Sequence, residues 1–135
     1  MSIKTIKKLV ENRLKTLSPS LPIAWTNVSF TAPADGSKYL RCTLNIRTPD
    51  DSCIGGTYYR ENATFNVYVL DKLNIGSGGA LDTAEAIRDL FDKRTTLEEG
   101  NVRVQILQTP HIAGEVITND RLVIPIAIRL TAEIF

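Results

Sequence analysis

The 135-residue chain has one histidine, two cysteines and one tryptophan, and no apolar run approaches a membrane span. Each shortage excludes something. With His111 alone, and with Cys42 and Cys53 lacking ligand spacing, no zinc site is expected. Two cysteines are too few for a disulfide scaffold, and two free thiols are expected. A Ser-His-Asp or Cys-His arrangement would need His111, which lies in a proline-bearing loop with no G-x-S-x-G element to accompany it. Catalysis is therefore not expected, nor is a cofactor. A bilayer span needs roughly 18 apolar residues, and none is present. The opening MSIKTIKKLVENRLKTL interleaves lysines with apolar residues, so no secretory signal core is expected, and the chain is placed in a cytoplasm or in something assembled there. Lysine and arginine total 16 against 15 acids, which is not the balance of a dedicated nucleic-acid binder.

What is present reads as one domain over residues 1–135, with apolar and charged fractions of 43% and 23% that suit a globular chain. Ile3, Ile6, Leu9, Val10, Leu14 and Leu17 share one face of a helix over 3–17, which Pro19 and Pro22 prevent from continuing. A short strand is expected at 25–30, followed by Asp-Gly turn chemistry at 34–37. Residues 39–47 alternate, with Leu40, Cys42, Leu44 and Ile46 on one side. After a loop at 48–57, a strand over 58–70 carries Ala63, Phe65, Val67 and Val69 on its apolar face. Its first part is expected to run beyond the sheet as one arm of a hairpin. Residues 71–79 form a flexible connection to a helix over 81–94, where Asp82 and Glu85 have capping-box spacing. Strands at 102–108 and 121–134 close the chain. Within the last, Pro125 calls for an edge or a bulge because it cannot donate to a ladder.

The order α-β-β-β-α-β-β predicts an α+β fold, a mainly antiparallel sheet with both helices on its apolar face. The other face then shows Arg41, Asn45, Arg47, Asn66, Tyr68, Arg103, Gln105, Arg129 and Thr131. Such a face suits solvent, a channel or a neighbouring subunit. It also admits a reading of another class, a nucleic-acid-binding module using Arg41, Arg47, Arg103 and Arg129. The glycines at 76, 78 and 79 precede a helix but lack the Lys-Ser/Thr pair of a phosphate loop. The acidic pairs Asp50-Asp51 and Glu98-Glu99 read as solvated loop residues. Tyr58, Tyr59 and Arg60 form a cluster that fits either an interface hot spot or plain packing.

One family has a similar arrangement. Residues 25–30 (WTNVSF), Pro33 and Tyr39-Leu40-Arg41 resemble the opening of the tail terminator proteins of long-tailed bacteriophages. The similarity continues through Gly56, Phe65-Asn66-Val67-Tyr68-Val69, the loop 76–79, Leu90-Phe91 and the segment 120–126, and so spans most of 23–132. The resemblance implies a structural virion protein: a hexameric ring that caps the tail tube, stops its polymerisation and offers a head-joining surface. Its implied partners are further copies of itself, the tail tube protein and the head–tail connector protein. Genomic DNA would pass through the lumen without sequence-specific binding. Assembly would take place in the host bacterial cytoplasm, and the ring would reside in the virion tail. A head–tail connector or tail-tube subunit shares the same building plan. Interface contacts are expected from a projection over 48–62 that includes Asp50, Asp51, Ile54, Tyr58, Tyr59 and Arg60, and from the arginine-bearing sheet face.

Overall fold

The computed structural model describes residues 2–17, 21–31, 33, 37–49, 59–118 and 121–134. Helix α1 covers Ser2–Lys15 and α2 covers Gly78–Leu90. The strands are β1 (Ile23–Ala24), β2 (Tyr39–Ile46), β3 (Tyr59–Asp71), β4 (Thr96–Glu99), β5 (Val102–Ile106), β6 (His111–Ile112), β7 (Val116–Ile117) and β8 (Leu122–Ile134). They form one sheet in the order β1-β2-β3-β8-β5-β4, with β6 and β7 also paired to β8. Every pairing is antiparallel except that of β1 with β2. The α+β fold follows the expected plan.

The sheet is centred on its two longest strands. β3 and β8 pair along their whole length, from Tyr59 opposite Ile134 to Asp71 opposite Leu122. Strict alternation fixes which side of each strand is buried. Ala63, Phe65, Val67 and Val69 of β3 and Leu122, Ile124, Ile126, Ile128, Leu130, Ala132 and Ile134 of β8 all lie in the core. Both helices cover this face: Ile6, Val10 and Leu14 come from α1, and Ala80, Ala84 and Ile87 from α2. Phe91, just past α2, meets Phe65 with ring centroids 5.8 Å apart. The two helices are tied by Arg13 Nε, which donates to the carbonyl of Leu90 at 3.0 Å.

Four local expectations are corrected. The stretch 25–30 is a turn and not a strand. Asn27 adopts φ 60°, incompatible with an extended chain, and Val28 N–H reaches back to Trp25 O. The strand lies just before it, at Ile23–Ala24, parallel to Leu40–Arg41 of β2. Helix α2 starts earlier than its acidic residues suggest. Ser77 is the N-cap, without a side-chain cap bond, so Asp82 sits in the helix interior and caps nothing. Lys38 Nζ binds Gly79 O at 3.1 Å and Thr83 Oγ1 at 2.9 Å, and Ala80 is fully buried, so tertiary contacts hold a glycine-rich first turn that propensity disfavours. The helix also stops earlier, because Asp92 Oδ1 accepts from Arg94 N–H at 2.8 Å and turns the chain.

The third correction is β4. Glu98 and Glu99 belong to a strand, joined to β5 by Gly100-Asn101, with Gly100 at φ 59°. Finally, Pro125 lies in a central strand and not on an edge. Its carbonyl accepts from Ala113 N–H at 2.9 Å, so its ring nitrogen faces the same neighbour. The missing donor falls where β6 ends, short of β7, and that break in the ladder is the feature the proline required. The expected turns at 34–37 and 119–120 fall almost wholly outside the described residues.

Candidate functional site

The uncovered face of the sheet is the candidate surface, and its residues follow from the register. Arg41 stands beside Tyr68, which faces Pro125. Thr43, Asn66, Ala127 and His111 form the next row, and Asn45, Thr64 and Arg129 the one after. Asn62, Thr131 and Gln105 follow, with Arg47 beside Asn62 through its backbone N–H at 2.7 Å. The last row is Arg60, Glu133, Arg103 and Glu98 across β3, β8, β5 and β4. Among the described residues no helix lies over these rows.

The two ends of this face differ in chemistry. At the Tyr39 end the surface is aromatic and apolar. A depression of about 570 Å³ is lined there by Tyr39, Arg41, Tyr68, Leu70, Val116, Thr118, Arg121, Val123 and Pro125. Arg121 closes one side of it. Its guanidinium is buried, donates to Ser37 O at 2.7 Å and Pro33 O at 3.1 Å, and lies 4.9 Å from the Tyr39 ring centroid. Phe30 also packs on Tyr39, at 5.1 Å between centroids. Arg121 thus ties Pro33 and Ser37 to the sheet. The opposite end alternates in charge: Arg60 meets Glu133 at 3.7 Å, and Arg103 meets Glu98 at 3.0 Å. Thr131 Oγ1 and Asn62 Oδ1 are hydrogen-bonded at 2.9 Å in the row beside them.

The four arginines expected on this face are on it, but they do not form one basic patch. Arg41 is exposed at the aromatic end, and Arg47 and Arg129 are exposed in the middle. Arg103 is neutralised by Glu98. A groove that tracks phosphates needs several unneutralised cations in line. The alternation of Arg60, Glu133, Arg103 and Glu98 does not supply it, which weighs against the nucleic-acid reading.

Tyr59 and Arg60 part company. Tyr59 packs against the core on the helix side, while Arg60 turns to the open face. Residues 59–62 are paired with 131–134 inside the sheet, so they do not project from it. Asp50, Asp51, Ile54 and Tyr58 lie outside the described residues, as does Cys53.

The remaining chemistry is sparse. Among the described residues no group of acids, histidines and cysteines is placed to hold a metal ion. His111 is exposed on β6, in register with Ala127. Cys42 is buried beneath α1. Burial pushes its thiol up to about 12, Glu11 adds to the shift and Lys7 opposes it, so the thiolate is not available near neutrality. No helix among the described residues is long and apolar enough to cross a membrane.

Sequence reasoning missed two features of this surface. The first is Arg121, whose only signal was a charged residue opening an apolar strand. The second is the edge strand β4, whose four residues TLEE show one apolar side chain and too short an alternation to read.

A family profile described as phage tail terminator protein matches residues 5–130. A solved structure whose name states no function superposes with a TM-score of 0.82 at 25% identity, over 100% of this chain and 98% of the other. No match was found among curated proteins.

Proposed function

The chain belongs to the phage tail terminator family, a family of structural tail proteins and not of enzymes, and from that premise we propose that it forms a hexameric ring on the end of the tail tube. The ring stops further addition of tube subunits and presents its far side to the head–tail connector protein. DNA passes through its lumen without sequence-specific contact. The observation that carries this reading is a sheet whose second face has no helix over it among the described residues, and in which no described strand pairs with the outer edge of β4 or with that of β2 beyond Arg41. Such a sheet leaves peptide groups and a broad surface for a neighbour. A head-to-tail contact whose rotation closes then produces a ring with no free edge.

Charge fits the same reading. A formal charge of +1, with acids interleaved among the arginines of the open face, gives DNA little to adhere to. The test is assembly of tail-tube subunits in the presence of the purified chain, with tube lengths measured by electron microscopy. Addition well below the tube-subunit concentration shortens the tubes and leaves one end capped. Tubes of unchanged length with uncapped ends contradict the reading.

A further inference from the structure

We infer that neighbouring copies in the ring are joined strand to strand, the outer edge of β2 in one copy pairing in parallel with the outer edge of β4 in the next. The inference rests on the ring reading and supplies the contact that the ring requires.

In an antiparallel strand, successive residues direct their N–H and C=O groups to alternate sides. Arg47 N–H bonds to Asn62 O, so the odd-numbered residues of β2 face β3. The even-numbered ones face outward. Leu40 N–H is taken up by Pro22 O, and Cys42 O accepts from Thr26 Oγ1 at 3.0 Å. Beyond them, no strand among the described residues covers Leu44 and Ile46. At the other side of the sheet, Ile106 N–H bonds to Thr95 O, so the odd-numbered residues of β4 face β5. Thr96 and Glu98 face outward from the terminal strand. Each edge therefore offers two residues with outward peptide groups.

The side chains select the pairing. β2, β8 and β4 run in one direction, and β3 and β5 in the other. An axis roughly along the strands keeps these directions, so β2 meets β4 of the next copy in parallel. The faces agree with this. The outward-bonding residues of β2 put their side chains on the helix side, whereas those of β4 put theirs on the open face. A parallel pair opposes an outward-bonding residue to an inward-bonding one. Only that arrangement keeps the helices of both copies on one side of the joined sheet.

Register then follows from three side chains. Opposing Ile46 to Leu97 of the next copy covers Ile46, a large apolar residue left 38% exposed at the end of β2. The same step sets Asn45 beside Thr96 and Arg47 beside Glu98. Arg47 would extend the alternation Arg60, Glu133, Arg103, Glu98 by one more opposite charge. The hydrogen bonds are Thr96 N–H to Leu44 O, Ile46 N–H to Thr96 O, and Glu98 N–H to Ile46 O. The pairing is head to tail, since the two edges differ, and it leaves no outward peptide group of these four residues facing solvent along the joint except Leu44 N–H and Glu98 C=O at its ends.

The test uses two chains, Asn45→Cys and Thr96→Cys, each in a Cys53→Ser background, with the buried Cys42 left in place. Mixed in equal amounts on tail tubes and mildly oxidised, they form a disulfide-linked heterodimer joined through positions 45 and 96, whereas either chain alone forms none. Adding Ile46→Pro to the Asn45→Cys chain removes an outward donor that makes no bond within its own sheet. It lowers the yield of the link at least about tenfold while the melting temperature stays near that of the parent. Native mass spectrometry of the same samples separates the two possible failures. Rings that form without a 45–96 link overturn the strand pairing and leave the ring reading standing. Absence of both the link and any ring overturns both.

Discussion

The two faces of the sheet are built from the same strands, often from adjacent residues, yet they are set up for opposite ends. On the helix side, all seven alternate residues from Leu122 to Ile134 are buried, under side chains from α1 and α2. On the open side, their immediate neighbours include Arg129, which is exposed, and Glu133, which is held by Arg60. One face is satisfied within the chain. The other carries paired charges and, among the described residues, no covering helix. On the proposed ring reading, the difference separates what the chain needs in order to fold from what it offers to a neighbouring copy.

The sharpest way to break the helix-side face is Phe65→Ala. Phe65 is 1% exposed and packed on Phe91, so its loss should cost about 3–5 kcal/mol of stability, measured by urea unfolding. Next is Arg121→Ala, the one substitution on the open side expected to matter for folding. It removes charged hydrogen bonds to Ser37 O and Pro33 O and should cost roughly 1.5–3 kcal/mol, with faster proteolysis within 30–38. A loss below about 0.5 kcal/mol would deny Arg121 its pinning role.

A smaller effect is tied to pH. The Cys42 thiol has its folded pKa raised to about 12 from 9.0. Below pH 9.0 it is protonated in both states, so its contribution is fully present. As pH rises from 9.0 toward about 12 the unfolded chain ionises first, and that stability is lost. The fall should therefore be steeper in the parent than in Cys42→Ala over that interval. Identical slopes would contradict the burial of this thiol. The smallest effect belongs to Arg129→Ala: exposed in the middle of the open face, it should change stability by less than about 0.5 kcal/mol.

The helix-side face was legible in the sequence because burial leaves a period. Strands β2, β3 and β8 and the two helices all announce themselves through alternation or a three-to-four-residue stripe. The family resemblance drew on the same segments. Short elements were not legible. Two-residue strands such as β1, β6 and β7 carry no period, and β4 hides its single buried side among TLEE. The start of α2 is not legible locally because its cause is remote: Lys38 reaches Gly79 and Thr83 from the far side of β2 and β3 in the sequence. Alternation also places the residues of the open face, but it does not give their pairing across strands. That Arg103 faces Glu98 depends on β4 existing, and that Arg60 faces Glu133 depends on the β3–β8 register. Tyr59 and Arg60 are adjacent in sequence, yet strand geometry sends them to opposite faces.

In the proposed ring, the open face and edges meet neighbouring copies head to tail. Native mass spectrometry of the assembly released from capped tail tubes tests it most directly. The account predicts a hexamer of this chain as the dominant species. A dimer related by a two-fold axis, or a monomer bound singly to the tube end, would contradict it.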